Sequence, residues 1–299
     1  MTLWLLACID KGDELHTGDD FPSDLTVVTF NSGTTEGQAY DPAYDGYGDE
    51  QAAASDAYYG DGLAWGGAMD ETRAFFEGLP RSLVGFQEIF DPTECAEVPD
   101  DARAGFVCEH WSEGDPSVAE QVLGEDYEVQ CHPGHSDKCL ALHGGIAALP
   151  ELAGEEVDGC GSGARVAWAD VELEIGTVRV VHVHGSSGLS ADDGACRVAQ
   201  IAQVEAALGE RNLVLGDFNT DPVRFAGYDE SAVAWAELAE RAGLSWHTEI
   251  GEDAEPTYGG LANIDHVLSD FTKGDCVSSP FYGGVYFDHV PQVCTLQPI

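Results

Sequence analysis

A run of β-forming apolar residues that stops at a carboxylate, an amide or an imidazole constrains this chain most, because the pattern recurs. Leu213-Val214-Leu215 leads into Gly216-Asp217-Phe218-Asn219, and Gly284-Val285-Tyr286-Phe287 leads into Asp288-His289-Val290-Pro291. Leu25 to Phe30 stops at Asn31-Ser32-Gly33, Ser82 to Gln87 stops at Glu88, and Val178 to Val183 stops at His184-Gly185. Asn263-Ile264-Asp265-His266-Val267 has the same build. Buried strands that end this way hold polar groups rigidly at a sheet rim, where sheet-based enzymes place their chemistry. A lone Asp or Asn at a strand end is ordinarily a turn former or helix cap. Asn31, Glu88, His184, Asp217, Asn219, Asp265, Asp288 and His289 together read as one site on one rim.

Between these runs, strand and helix alternate without tandem repeats, which predicts one α/β domain. Helices are expected over 69–79, 195–208 and 231–242, and a hairpin over 165–183 with its turn at Ile175-Gly176-Thr177. Residues 34–67, rich in Gly, Asp, Tyr and Ala, read as a long surface excursion. Asp45, Asp49 and Asp56 within it do not match the spacing of a calcium loop. Residues 91–139 carry four cysteines and few apolar runs, and are expected to form a disulfide-tied insertion outside the central sheets.

With 55 acidic and 12 basic residues, net −43, the chain repels nucleic acid, anionic membrane and free nucleotide at long range unless bound cations or a basic pocket offset the field. No basic stripe for sequence-specific duplex binding is present. No segment approaches the ~18 apolar residues of a membrane span. Cysteines 95, 108, 131, 139, 160, 196, 276 and 294 suggest four disulfides, with pairing expected between neighbours in sequence order. The alternative for Cys131-His132-Pro133-Gly134-His135, Cys139 and His143 is a zinc site. The ninth cysteine, in Leu5-Leu6-Ala7-Cys8, resembles a lipoprotein box, in which Cys8 would carry the lipid anchor and 10–24 a solvated acidic tether; the other reading is a buried or free thiol. The anchor would make 1–24 an export signal and tether ahead of a catalytic domain at 25–299.

Thr29-Phe30-Asn31, Phe86-Gln87-Glu88, Val183-His184-Gly185, Gly216-Asp217-Phe218-Asn219, Ile264-Asp265-His266 and Asp288-His289-Val290-Pro291 occur in the order expected of the endonuclease/exonuclease/phosphatase superfamily, whose members include deoxyribonuclease I. The resemblance spans roughly 25–297. It implies a four-layer α/β sandwich, two mixed β-sheets face to face with helices outside, and hydrolysis of phosphate esters aided by Mg2+, or by Mn2+ or Ca2+. Under it, Glu88, Asp288 and Asn31 would serve the metal through hard oxygen donors. His289 would take a proton from water with Asp265 fixing its tautomer. Asp217 would sit near the nucleophile, Asn219 would orient water or phosphate, and His184 would bind the scissile phosphate or protonate the leaving group. The acid and base roles of the two histidines stay open. His182 shares a face with His184, and His266 reads as structural because it points opposite to Asp265.

Arg165 is a candidate phosphate contact, against a surface ion pair with the abundant carboxylates. His143-Gly144-Gly145-Ile146-Ala147 falls where the superfamily often has Asn-Gly-x-Ala and then a basic residue; His stands for Asn here and no base follows through Gly163. No nucleophile elbow, Walker loop or dinucleotide fingerprint appears. The leading expectation is an exported, monomeric nuclease of the deoxyribonuclease I kind. Sphingomyelinase-like or other small-phosphodiester hydrolysis is the alternative, with 40–65 as its candidate membrane-facing aromatic hairpin. A non-catalytic binding protein keeping the fold is the alternative of another class.

Overall fold

The structure is a computed structural model that describes residues 24–33, 47–279 and 286–299. Cys8, the tether, Asp45 and the run Gly284-Val285 lie outside the described residues. Two six-stranded mixed sheets carry the fold. The first contains β1 (Leu25–Asn31), β2 (Ser82–Gln87), β3 (Tyr127–His132), β4 (His135–His143), β11 (Thr272–Ser278) and β12 (Gln292–Pro298), in the order β11-β12-β1-β2-β4-β3. The second contains β5 (Ala153–Gly154), β6 (Val166–Leu173), β7 (Gly176–His184), β8 (Asn212–Asp217), β9 (Ser245–Trp246) and β10 (Asp265–Ser269), in the order β5-β6-β7-β8-β10-β9.

The two-residue period of each strand divides the side chains between layers. Leu25 and Val27 of β1, Leu83 of β2, Leu140 and Leu142 of β4, and Leu296 of β12 meet Ala167, Val171, Val178, Val180, Leu213, Leu215 and Val267 of the second sheet. The intervening residues, such as Val28, Phe30, Val84 and Phe86, pack outward beneath α2 (Gly66–Glu77) and α3 (Val118–Leu123). Val181, Val183, Val214 and Leu268 pack outward beneath α4 (Ala191–Ala207) and α5 (Glu230–Ala242). The result is the expected four-layer sandwich.

Helix ends follow local chemistry. Helix α4 begins four residues before its apolar periodicity, because Ser190 and Asp193 form a capping box: Asp193 N–H donates to Ser190 Oγ at 3.2 Å and Ser190 N–H to Asp193 Oδ2 at 2.9 Å. Asp229 caps α5, and Gly243 ends it in the left-handed region at φ +67°. Helix α2 starts at Gly66 rather than at Met69.

Two expectations are corrected. Residues 91–139 do not all decorate the domain: β3 and the first part of β4 lie in this span, and β4 pairs antiparallel with β2 inside the first sheet. Only about 92–123, with its short helical turns, lies outside the sheets. The described part of the 34–67 excursion is also packed rather than loose. It holds α1 (Asp49–Ala54), buries Tyr47 and Tyr59, and stacks Tyr59 on Phe106 at 4.2 Å. Residues 40–46 of the candidate aromatic hairpin lie outside the described residues. Among the described ones Tyr58 is exposed but stands in a helical turn, and Asp49 stands in the first turn of a helix instead of a calcium loop.

All four neighbour-paired disulfides are present: Cys95–Cys108, Cys131–Cys139, Cys160–Cys196 and Cys276–Cys294. Cys131 and Cys139 are directly opposed across β3 and β4, so their sulfurs are unavailable to zinc. Cys160–Cys196 ties the loop before β6 to α4 across 36 residues. Replacing both cysteines with serine is expected to lower equilibrium stability by about 3–4 kcal/mol, read by urea unfolding under non-reducing conditions.

Candidate active site

The layer between the sheets changes from aliphatic to polar along its length, and it does so at one rim. On β1 the inward series is Leu25, Val27, Thr29, Asn31; on β2 it is Leu83, Gly85, Gln87. On β7 it is Val178, Val180, His182, His184, and on β8 it is Leu213, Leu215, Asp217. Strands β1 and β2 run parallel, as do β7 and β8, so their carboxyl ends share the rim. Antiparallel β10 brings its first residue there, and register places His184, Asp217 and Asp265 in one row. Asp265 thus begins a strand rather than ending one. Asp288 and His289 likewise precede β12, which is antiparallel to β1, and reach the same rim by that route.

Asp217 is almost fully buried and is the centre of the hydrogen bonding. Its Oδ2 accepts from Asn31 Nδ2 and Asn219 Nδ2, both at 3.0 Å, and its Oδ1 accepts from Asn219 N–H at 2.7 Å. Asn219 also donates to the Gly185 carbonyl at 3.0 Å and holds φ +52°, an uncommon left-handed backbone that asparagine tolerates. His289 Nδ1 lies 2.8 Å from Asp265 Oδ2, and His289 Nε2 lies 3.9 Å from Asp217 Oδ2. His184 Nε2 stands 3.4 Å from Glu88 Oε1 and 3.8 Å from Asp217 Oδ2. Seven of the eight expected residues are joined by these contacts or by Glu88's bond with Asn31. The eighth, Asp288, is close enough for its carboxylate to interact with His289, Glu88 and Asp265.

Burial and charge set the protonation states. Burial raises Asp217 to about 7, helped by the negative charge of Asp265. Burial pushes His289 down, but Asp265, with its charge and hydrogen bond, and the charges of Asp217 and Asp288 outweigh it and lift the imidazole to about 10. His184 is held below its ordinary value by burial. Burial alone would raise Glu88, yet the hydrogen bond and charge of His184, with help from His289 and Asn31, take it down to about 2. Burial raises Asp288. Near neutral pH the two histidines therefore differ: His289 is an imidazolium and His184 is neutral.

The donor set fits a hard divalent cation. A Cβ added to Gly33 would fall 2.3 Å from Glu88 Oε2 and 3.3 Å from Asn31 Oδ1, so both oxygens border the space its missing side chain leaves. Glu88 itself sits at φ +56°, a left-handed conformation rare for glutamate. Asp217, Asp265 and His289 also place one donor each within 4.8 Å of one another. Both groups already carry hydrogen bonds, Asn31 Oδ1 accepting from Gly33 N–H at 3.0 Å and Asp265 Oδ2 facing His289 Nδ1. The Glu88 side chain, however, is 37% exposed against 1% for Asp217 and Asp265, so the Glu88–Asn31 side is the one a cation reaches from solvent.

Other expectations resolve differently. His182 is fully buried within the inter-sheet layer and does not line the rim. His266 is structural, bonded through Nδ1 to Thr248 Oγ1 at 2.9 Å and through Nε2 to the Asn263 carbonyl at 3.0 Å. His143 pairs with Tyr127 at the end of β4 remote from Glu88, so its segment does not bear on the site. The basic group appears instead at the rim end of β4: Lys138, 2% exposed, is ion-paired to Asp137. Lys138 and Arg165 both act electrostatically on His184. Arg165 is half-buried, reaches the Gly185 carbonyl at 3.5 Å, and leaves its Nε without a hydrogen-bond partner. Sequence reading also missed Thr257, whose Oγ1 accepts from the N–H groups of Ile264 and Asp265 at 3.1 Å each, and Tyr258, whose ring centre lies 4.8 Å from that of His289. The scarcity of bases was the available signal for Lys138; Thr257 and Tyr258 carried none.

The fold is similar to solved structures at low sequence identity. An endonuclease/exonuclease/phosphatase from Beutenbergia cavernae is 18% identical, with TM-score 0.55 over 92% of this chain and 72% of that one. Beta toxin from Staphylococcus aureus, a double mutant with bound magnesium ions, is 12% identical, with TM-score 0.53 over 92% of this chain and 100% of that one. TDP2 from D. rerio, complexed with a single-strand DNA product, is 14% identical, with TM-score 0.53 over 92% of this chain and 99% of that one. No family model and no curated protein matches the chain.

The charge states make a direct prediction. In cation-free protein, the His289 imidazole should titrate by NMR near pH 10 and fall back toward its ordinary value in Asp265→Asn. Because the folded value is raised, the pair's stabilisation is complete below about pH 6.5 and disappears as pH rises through about 10.

Proposed function

We propose that the rim is the catalytic centre of a divalent-cation-dependent phosphodiesterase. One observation carries this reading: seven residues from separate stretches of sequence converge around Asp217, and they include an oxygen-donor side, a carboxylate-held imidazole and a second, neutral imidazole. The superfamily resemblance of the same residues, and the fold shared with TDP2 in complex with a single-strand DNA product and with a magnesium-bound toxin, support it.

Glu88, Asn31 and Asp288 would hold the cation, Mg2+ being the expected species with Mn2+ or Ca2+ as substitutes. When bound it would neutralise phosphoryl charge and stabilise the leaving oxygen. Asp265 holds His289 Nδ1 and directs Nε2 at the attacking water. Because the ring is an imidazolium below about pH 10 in cation-free protein, Nε2 can take the water's proton only in the deprotonated fraction, which the charge of a bound cation would enlarge. Asp217, fixed by two amides, orients that water beside His289. His184, together with Lys138 and Arg165, binds the scissile phosphate. Water adds to phosphorus as its proton passes to deprotonated His289 Nε2, one P–O ester bond breaks, and the departing oxygen recovers a proton from the site or from solvent.

Nucleic acid is the first substrate class we assign, acted on after export; the four disulfides favour an oxidising compartment, and the Cys8 lipid anchor remains part of this proposal. The charge of −43 and the presence, among the described residues, of Lys138 and Arg165 as the bases acting on His184 favour a second reading, a small or lipid-headgroup phosphodiester recognised through a single phosphate. Hydrolysis of an aryl phosphodiester should vanish with EDTA and return with Mg2+. The His289→Ala variant should lose about 10²–10⁴-fold in kcat. Parallel assays on single-stranded DNA and sphingomyelin separate the two substrate readings. Turnover indifferent to both EDTA and His289→Ala would eliminate the mechanism, and cation-independent phosphate binding without turnover would mark a binding protein.

A further inference from the structure

A line of hydrogen bonds crosses between the two sheets below the rim, through residues the proposed reaction does not use. His132, His182 and Gln87 are at most 3% exposed. His132 Nδ1 lies 3.0 Å from the Ala164 carbonyl, which can only accept, so Nδ1 carries the proton. His132 Nε2 then accepts from His182 Nδ1–H at 2.8 Å. That leaves His182 Nε2 to accept from the Gln87 amide, whose own oxygen and nitrogen reach Thr29 Oγ1 at 3.5 and 3.4 Å. Burial holds both imidazoles neutral, His132 at about 3 and His182 well below its ordinary value, so the line has a single direction. Gly85 makes the crossing possible: a Cβ there would lie 2.9 Å from His182 Cδ2 and Nε2.

Elsewhere the same layer is filled by leucine, valine and alanine, which need no partners. A buried polar line is costly unless every member is satisfied, and when satisfied it fixes one geometry. Its two ends are informative. Gln87 is followed by Glu88, with its left-handed backbone, and Ala164 is followed by Arg165.

We propose that Gln87, His182 and His132 are positioning residues that hold the Glu88 carboxylate and the Arg165 guanidinium at a fixed separation across the two sheets, and so set the cation affinity and the phosphate contact of the rim. This rests on the reading of Glu88 as a cation ligand. Groups that orient metal ligands typically change affinity about 10–100-fold when removed.

The test is calorimetric titration of Mn2+ into the full chain, with aryl phosphodiester kinetics alongside. Glu88→Gln should abolish binding, whereas Gln87→Met and His182→Leu should weaken it about 10–100-fold. His132→Leu, which frees the Ala164 end, should raise KM more than it lowers kcat. His247→Leu removes a different buried histidine, bonded to the Gly274 carbonyl at 2.8 Å and Thr272 Oγ1 at 3.0 Å; it should lower thermal stability and leave Mn2+ affinity unchanged. Should His182→Leu not fold, Gln87→Met removes only the amide at the line's end, with its bonds to His182 and Thr29, and the same titration decides. Folded Gln87→Met with wild-type affinity overturns the positioning role. Glu88→Gln with wild-type affinity overturns the cation-ligand reading instead.

Discussion

One apolar layer shared by two sheets is the constraint on which everything else depends. Because side chains alternate along a strand, the residues that face the opposing sheet are fixed once the aliphatic end of the layer is packed. Leu25 and Val27 commit Asn31 to the interior, Leu213 and Leu215 commit Asp217, and Val178 and Val180 commit His184. A one-residue slip in any of these strands would turn its polar terminus toward a helix layer. The site is therefore held by the core rather than by its own weak contacts, and its strained members, Glu88 and Asn219, are carried at the ends of strands that cannot shift.

At the rim, acidic groups are matched by bases to a degree the rest of the chain does not show. The chain is strongly acidic, yet the rim gathers two imidazoles, Lys138 and Arg165 around its carboxylates. Asp217 is buried deeply enough to resist ionisation, while Asp265 is engaged by the imidazole it keeps protonated. A cation or a phosphate arriving here meets partners already oriented, which reduces the reorganisation its binding requires.

The strand ends, the order of the motifs, the sandwich and the four disulfides were legible because each depends on local pattern or on cysteine arithmetic. What escaped depends on partners far away in sequence. Strand β4 is short in apolar residues because Lys138 and Asp137 occupy its rim end, so it read as part of an insertion. His182 shares a face with His184 by parity, and the place of His184 at the strand terminus before Gly185 favours it for the site; what the sequence does not show is that Gly85 on the neighbouring sheet admits the His182 ring to the inter-sheet layer. Asp265 reads as the end of a strand and stands instead at the start of one, a difference that antiparallel pairing with β8 makes invisible to a one-dimensional pattern; His289 precedes β12 without belonging to it. His143 was matched by motif, whereas register puts it at the far end of its strand.

The central claim is that these converging side chains build a cation-dependent centre on the Glu88–Asn31 side of Asp217. Anomalous diffraction from crystals soaked in Mn2+ tests it most directly. The account predicts a peak within coordination distance of the Glu88 carboxylate, beside Asn31 and Gly33. A map with no peak there, or with its only peak between Asp265 and His289, would contradict it.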